Sequence, residues 1–311
     1  MNKVSLFGED DDEMARNMSS YFGVPPFSVV DTTTREWMAR KRKWDELIKD
    51  EGQTRKDALG LQTLKIKGIP QMKNQGISIL DACLAEIMVK WFTEKDYTTF
   101  DPFAGDTIFG FVSAFLGRPF TGIELRKEQA DQNQKKCDEH KLNAKYICDT
   151  SVNMSKYIEN ESMDFIFSCP PYADLEVYSD DPKDLSTMGY DGFFDVYKTI
   201  LRRTYRKLKQ DRFACIVISE VRSKKTGAYI SLVPNTINIM KKAGYIYYNE
   251  IILLNSVGTL PFRAGNSMNA TRKIGRRHQN VLVFYKGNLK NIKTTFSDIM
   301  PKNKKYEKEE N

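Results

Sequence analysis

From about residue 77 onward, two hydrophobic patterns take turns along the chain. Short apolar runs alternate with longer segments in which apolar residues recur every three or four positions. The segment 79–92, ILDACLAEIMVKWF, has the helical spacing, and so do 108–116, 191–209 and 235–243. A polar helix is expected over 127–140. Apolar runs at 97–100, 120–123, 146–148, 165–167, 213–219, 245–254 and 279–285 read as seven strands. The run 213–219, FACIVIS, is apolar along its length, which suits a strand covered on both faces. Strands alternating with helices predict a doubly wound, mostly parallel α/β sheet of seven strands. No helical pattern separates the last two strands, only the stretch 255–278, so the final strand is expected to pair antiparallel.

The flanks read differently. Residues 1–20 are acidic and then rich in Met and Ser, and 50–76 are polar with Gly52, Gly60, Gly68 and Gly76. Between them, TREWMARKRKWDEL predicts a helix with Thr34 as its cap. Trp37 and Trp44 are seven apart and share a face, as core residues do. The expected organisation is an N-terminal extension over 1–75, a main domain over 76–287 and a charged, largely disordered tail over 288–311.

Composition narrows the class. The 311 residues suffice for a large core, and no apolar run reaches the roughly 18 residues of a membrane span. The acidic start MNKVSLFGEDDDEM lacks the apolar stretch of a signal peptide. Five scattered cysteines and two histidines argue for a reducing, cytoplasmic setting and against a structural metal site. The net charge of +7 permits a polyanionic partner. The basic residues gather in runs around Arg40-Lys41-Arg42-Lys43, in 202–207, and in Arg272-Lys273-Ile274-Gly275-Arg276-Arg277. The first two suit a solvated helix face as well as a partner. The third is loop-like and suits phosphate contact.

Candidate chemistry sits at the strand ends. The strand at 97–100 runs into Asp101-Pro102-Phe103-Ala104-Gly105, a tight turn before a helix, as in the first crossover of a nucleotide-binding sheet. Glu124 ends the next strand, 23 positions after Asp101, where a carboxylate can accept both hydroxyls of a ribose. Asp149 ends the third strand, where it can accept from an adenine amine. The fourth ends in Ser168-Cys169-Pro170-Pro171-Tyr172; proline donates no backbone hydrogen bond, so the strand must stop there.

In this order DPFAG, GIEL, CD and SCPPY resemble the motifs of S-adenosylmethionine-dependent DNA methyltransferases that act on exocyclic amines. The hallmark of that family is Asp/Asn/Ser-Pro-Pro-Tyr/Phe, and the resemblance covers roughly 76–287. It is nearest to phage or prophage DNA modification methylases. It implies a Rossmann-like methyltransferase fold and S-adenosyl-L-methionine as cofactor. The cofactor would be held by Asp101, Pro102, Phe103, Ala104, Gly105, Glu124 and Asp149, with Ser78 as a further candidate. Double-stranded DNA is the implied substrate, its target base flipped against Tyr172 and the Pro170-Pro171 corner. No metal is required, and an oligomer is compatible with the pattern. The chain shows no nuclease motif, so a solitary modification enzyme is expected.

Two places depart from the family. Cys169 stands where the family has an oxygen-bearing side chain, and a thiol is a poor acceptor. Three readings stay open. Ser168 or the backbone does the work and Cys169 is tolerated; or Cys169 is the nucleophile of a cytosine carbon-5 enzyme, with Glu220 at the end of the fifth strand as the acid facing N3; or catalysis is lost. Asp106-Thr107 replaces the small pair that usually follows DPFAG, which makes the turn bulkier. DNA contact is expected from the loop 255–278 through Arg263, Arg272, Lys273, Arg276 and Arg277, with the acidic stretch 173–190 closing the base pocket. An RNA methyltransferase and a silent DNA-binding module are the remaining alternatives.

Overall fold

The computed structural model describes residues 18–48, 80–173 and 181–300. Among these, eight strands form one open sheet: β1 (Val29–Asp31), β2 (Thr99–Asp101), β3 (Phe120–Glu124), β4 (Ala144–Cys148), β5 (Met163–Ser168), β6 (Leu208–Ile218), β7 (Ile246–Leu254) and β8 (His278–Lys286). Their spatial order is β1-β7-β8-β6-β5-β2-β3-β4. Every pairing is parallel except those of β8, which lies antiparallel between β6 and β7. The antiparallel final strand is as expected; the eighth strand is an addition. Val29–Asp31 is too short to show a period, and only its pairing with Ile252–Leu254 makes it a strand.

Both faces of the central strands are covered, and the side-chain period of two divides them. Phe165, Phe167, Phe213, Cys215 and Val217 belong to one core, while Ile166, Ala214, Ile216 and Ile218 belong to the other. The first core is covered by helices α1 (Arg35–Ile48), α2 (Ala82–Phe92) and α3 (Ile108–Phe115). The second is covered by α5 (Tyr190–Lys207) and α6 (Leu232–Ala243). The polar helix α4 (Lys127–Glu139) packs beside β3 and β4.

Within the expected N-terminal extension, residues 29–48 pack onto the sheet and its first core. Helix α2 is buried almost all round, so it needs a further layer over its outer side. Helix α1 is that layer. Thr34 Oγ1 accepts from the Trp37 backbone N–H, the cap expected from the sequence. Trp37 and Trp44 are buried, and their indole N–H groups donate to Asp81 and Glu86 at 3.2 and 2.9 Å. Arg40 reaches Glu86 with two hydrogen bonds of 2.5 Å each. The basic run on α1 is therefore partly spent inside the protein.

Two further expectations change. Within the tail, residues 288–300 are docked: Ile292 and Phe296 pack against the first core, and Asp211 accepts from the Asn288 N–H and from Asn291. The segment 255–278 is not simply a loop. It holds helix α7 (Leu260–Thr271), with Pro261 in its first turn and no buried residue, so no periodic apolar face marks it in the sequence.

Burial alone would raise the pKa of Glu86, but hydrogen bonds from Arg40, Lys90 and Trp44 hold it down to about 2. A depressed carboxylate stabilises the fold above its unfolded value and loses that contribution as pH falls from about 4.5 toward about 2. The urea midpoint of the wild type should therefore fall more steeply through this acid window than that of Glu86→Gln; parallel curves would exclude the effect.

Candidate functional site

Parallel strands bring their carboxyl ends to one edge, and between β2 and β5 the chain changes the direction in which it adds strands. Ligands of open α/β sheets lie outside such a switch point. The pocket found there is lined by the turn after β2, the ends of β3 and β4, the corner after β5, and the segment Lys183–Leu185 with Ile200.

The turn after β2 is tied on every side. Asp101 is buried, and its Oδ1 accepts from the Phe103 N–H at 2.8 Å and from Ser168 Oγ at 2.5 Å. The Ala104 N–H donates to the Ile123 carbonyl at 3.0 Å, and the Gly105 N–H to Glu124 Oε2 at 3.0 Å. Gly105 adopts φ +54°, the left-handed region that suits glycine. The bulky Asp106-Thr107 pair closes the turn. Asp106 accepts from the Leu80 and Ile108 N–H groups at 3.1 and 3.0 Å, so it caps α3 and pins the start of α2. Thr107 donates to Asn133 Oδ1 at 2.8 Å, and Asn133 Nδ2 donates to the Gly105 carbonyl at 3.0 Å.

Two more acids face the same pocket. Glu124 also accepts from the Arg126 N–H at 2.9 Å. Asp149 accepts from Tyr157 Oη at 2.7 Å, from Asn153 and from the Thr150 N–H, and these bonds, that from Tyr157 foremost, hold its carboxyl below the ordinary range. Ser151, missed in the sequence, donates to the Pro102 carbonyl and links the β4 end to the turn. Arg126 and Thr150 were missed as well, and Arg126 could have been found from its place just after Glu124; Lys183, Asp184 and Leu185 lie in the stretch 173–190 that was expected at the base pocket.

At the corner, Cys169, Pro170, Pro171 and Tyr172 all line the pocket. Cys169 Sγ lies 3.6 Å from Tyr172 Oη. Ser168 does not join them: it is fully buried in β5 and its hydroxyl is committed to Asp101. Glu220 does not line the pocket either. Ser231, the N-cap of α6, makes no side-chain cap bond, and Glu220 takes that place by accepting from the Leu232 and Val233 N–H groups at 3.1 and 2.9 Å. Ser78 and residues 174–180 of the stretch 173–190 lie outside the described residues.

The segment 255–277 leaves β7 and enters β8 at this same edge, because β8 runs opposite to its neighbours. Arg263 is exposed on α7, and Arg272 is the exposed C-cap of that helix. Arg276 lies 3.0 Å from His278 Nε2 and 5.5 Å from the centre of the Tyr229 ring. Arg277 donates to the Asn255 carbonyl at 3.0 Å. Lys273 lies close to Gly227. No group of metal-ligating side chains occurs among the described residues, and no helix among them is long and apolar enough to cross a membrane.

Comparison with known proteins finds a family match over the second half of the chain and several similar solved structures. Residues 163–311, from β5 to the end of the chain, match the N6_N4_Mtase family, described as DNA methylase. No curated protein sequence matches the chain. Among solved structures, TrmN from Thermus thermophilus is similar at 15% identity and a TM-score of 0.45, over 67% of this chain and 49% of that one. This chain thus spans about half the length of that protein. An S-adenosylmethionine-dependent methyltransferase from Methanosarcina mazei is similar at 12% identity and TM-score 0.44, over 64% of this chain and 97% of that one. The [4+2]-cyclase SpnF is similar at 11% identity and TM-score 0.49, over 80% of this chain and 95% of that one.

Burial, helped by the neighbouring Asp106 and Glu124 and opposed by the bonds from Ser168 and Phe103, raises the pKa of Asp101 to about 7. A carboxyl raised in the folded state is favourable while protonated, so its contribution is present below about 3.8 and lost as pH rises toward about 7. Asp101→Asn should remove this slope. Wild type and variant should diverge in urea midpoint across that window, and a pH-independent difference would rule the shift out.

Proposed function

We propose that the protein is an S-adenosylmethionine-dependent DNA methyltransferase that flips a base out of the duplex and methylates its exocyclic amine, adenine N6 or cytosine N4. One observation carries this reading. Glu124, Asp149, the Asp101–Gly105 turn and the Cys169–Tyr172 corner share one pocket, and the corner lies in the part of the chain that matches the DNA methylases.

The donor set fits the cofactor. Carboxylates at the ends of β3 and β4 suit a ribose and an adenine amine, Phe103 and Leu125 offer apolar surface, and Gly105 allows close approach of backbone. When bound, S-adenosylmethionine supplies an electrophilic methyl group. The chain's own residues do the rest. Tyr172 offers a ring face on which a flipped base stacks. The rigid Pro170-Pro171 corner presents backbone carbonyl oxygen to accept a hydrogen from the amine, which orients the nitrogen and makes up for the weak acceptor at Cys169. Orientation of this kind is the main source of rate for such a transfer.

The engagement of Glu220 with α6 speaks against carbon-5 methylation through Cys169, because that chemistry needs an acid at the base. The closed Asp106-Thr107 turn speaks against a silent module. Segment 255–278 holds five Arg and Lys residues and no Asp or Glu, which suits a phosphate backbone.

Incubation with S-adenosylmethionine and unmodified DNA, then digestion to nucleosides and mass spectrometry, tests the proposal. Methyl on an exocyclic amine is expected, with Cys169→Ser still active and Tyr172→Ala slower by roughly 100-fold, the scale of losing a base-stacking platform of ~1–3 kcal/mol together with its positioning. Methyl on cytosine carbon 5, with Cys169→Ser inactive, would overturn it, and methyl on RNA alone would move the substrate. Replacing Arg272, Lys273, Arg276 and Arg277 by Gln should weaken duplex binding and flatten its salt dependence by nearly one unit of slope for each phosphate no longer neutralised. An unchanged slope would remove this segment from the DNA surface.

A further inference from the structure

The ring at the catalytic corner is tethered from an unexpected direction. Tyr172 Oη accepts a hydrogen bond from Gln279 Nε2 at 2.8 Å. Gln279 is the second residue of β8, 107 positions further along the chain. The contact exists because β8 is antiparallel: it starts at the edge where β5 and β6 end, and Asn280 stands opposite Ile218. The chain of bonds continues outward. Gln279 Oε1 accepts from Asn255 Nδ2 at 3.4 Å. Asn255, the first residue after β7, donates its backbone N–H to the Arg277 carbonyl at 3.0 Å, and Arg277 Nε donates back to the Asn255 carbonyl at 3.0 Å. A continuous path thus runs from the base of the basic segment 255–277 to the hydroxyl of Tyr172.

The direction of these bonds has a chemical consequence. The amide of Gln279 donates to the phenol oxygen while its carbonyl is used by Asn255. Cys169 Sγ lies 3.6 Å from the same phenol oxygen, and either atom of that pair can be the donor. The glutamine amide thus holds the hydroxyl end of the ring, with the thiol as a second contact. A phenylalanine would serve as well as a stacking platform, so a hydroxyl held at both sides needs another reason. Holding the ring in one pose, in register with the segment that meets the duplex, supplies that reason.

We propose that Gln279 is a positioning residue that sets the pose of Tyr172 and couples it to the basic segment, so that a duplex seated on Arg272–Arg277 steadies the ring for the target base. The proposal rests on the reading of Tyr172 as the base-stacking residue. The test places 3-fluorotyrosine at position 172 alone and follows its fluorine resonance in the full-length protein, with and without duplex DNA. It also measures methyl transfer by Gln279→Leu, Gln279→Glu, Tyr172→Phe and the double variant Gln279→Leu/Tyr172→Phe. Duplex should move the resonance in wild type and not in Gln279→Leu. Gln279→Leu should lower kcat about tenfold, the scale of one missing hydrogen bond with its positioning, and leave KM for S-adenosylmethionine within about twofold. Gln279→Glu, whose carboxylate can accept from the phenol, should recover a large part of the rate even if the leucine variant folds poorly. The double variant should be no slower than the slower single one, because both remove the same bond.

Losses that multiply in the double variant would overturn the proposal, and so would a duplex-induced shift that persists in Gln279→Leu or is absent from wild type. If the wild type methylates no nucleic acid, the functional reading fails separately. The fluorine measurement needs only duplex binding and still decides the coupling.

Discussion

One buried hydrogen bond, from Ser168 Oγ to Asp101 Oδ1, joins the two strand ends around which the pocket is built. β2 and β5 are adjacent, and the chain reaches one from the other only after building β3 and β4 on the far side. The turn that begins at Asp101 and the corner that follows Ser168 therefore diverge from neighbouring points. A carboxyl enclosed by protein is costly when ionised, and the serine hydroxyl offsets part of that cost. The pair fixes the relative position of turn and corner before any ligand arrives. The remaining bonds of the site, from Gly105 to Glu124 and from Ser151 to Pro102, extend the same lattice to β3 and β4.

A second constraint is the buried character of α2. A helix with apolar residues on nearly all sides has to be covered twice, once by the sheet and once by another element. The residues that cover it come from α1, and the polar groups at the junction are paired: Trp37 and Lys41 with Asp81, and Arg40, Trp44 and Lys90 with Glu86. The same junction adjoins the pocket, since Asp81 caps α2 and Leu80 just before it is held by Asp106. Packing of the N-terminal layer and closure of the Asp101–Thr107 turn are in this way one structure.

The antiparallel β8 does for the outer side of the pocket what the parallel strands do for the inner side. Had the final strand been parallel, its start would lie at the opposite edge, with the basic segment far from Tyr172. Inserted between β6 and β7, it delivers Gln279 to the tyrosine and the cations of 263–277 to the same rim. Glu220 shows the limit of reasoning by strand ends alone. It does end a strand beside the corner, yet the uncapped start of α6 takes up its carboxylate.

Periodicity by itself determined the sheet, the order of its main elements, the antiparallel close and the acids at the strand ends. Those features depend on residues near one another in the chain, through the alternation of apolar positions and the rigidity of Pro170-Pro171. The turn Asp101–Gly105, Glu124, Asp149 and the corner Cys169–Tyr172 were legible for the same reason. Tertiary structure alone decided what depends on distant partners. It made a strand of Val29–Asp31 and a core layer of α1, it seated Ile292 and Phe296, and it turned Ser168 inward and Glu220 onto α6. Helix α7 escaped notice because it buries nothing, and Gln279 because its partner lies 107 residues away. A local pattern records which face a residue turns to the core; it holds no record of which distant group will meet it there.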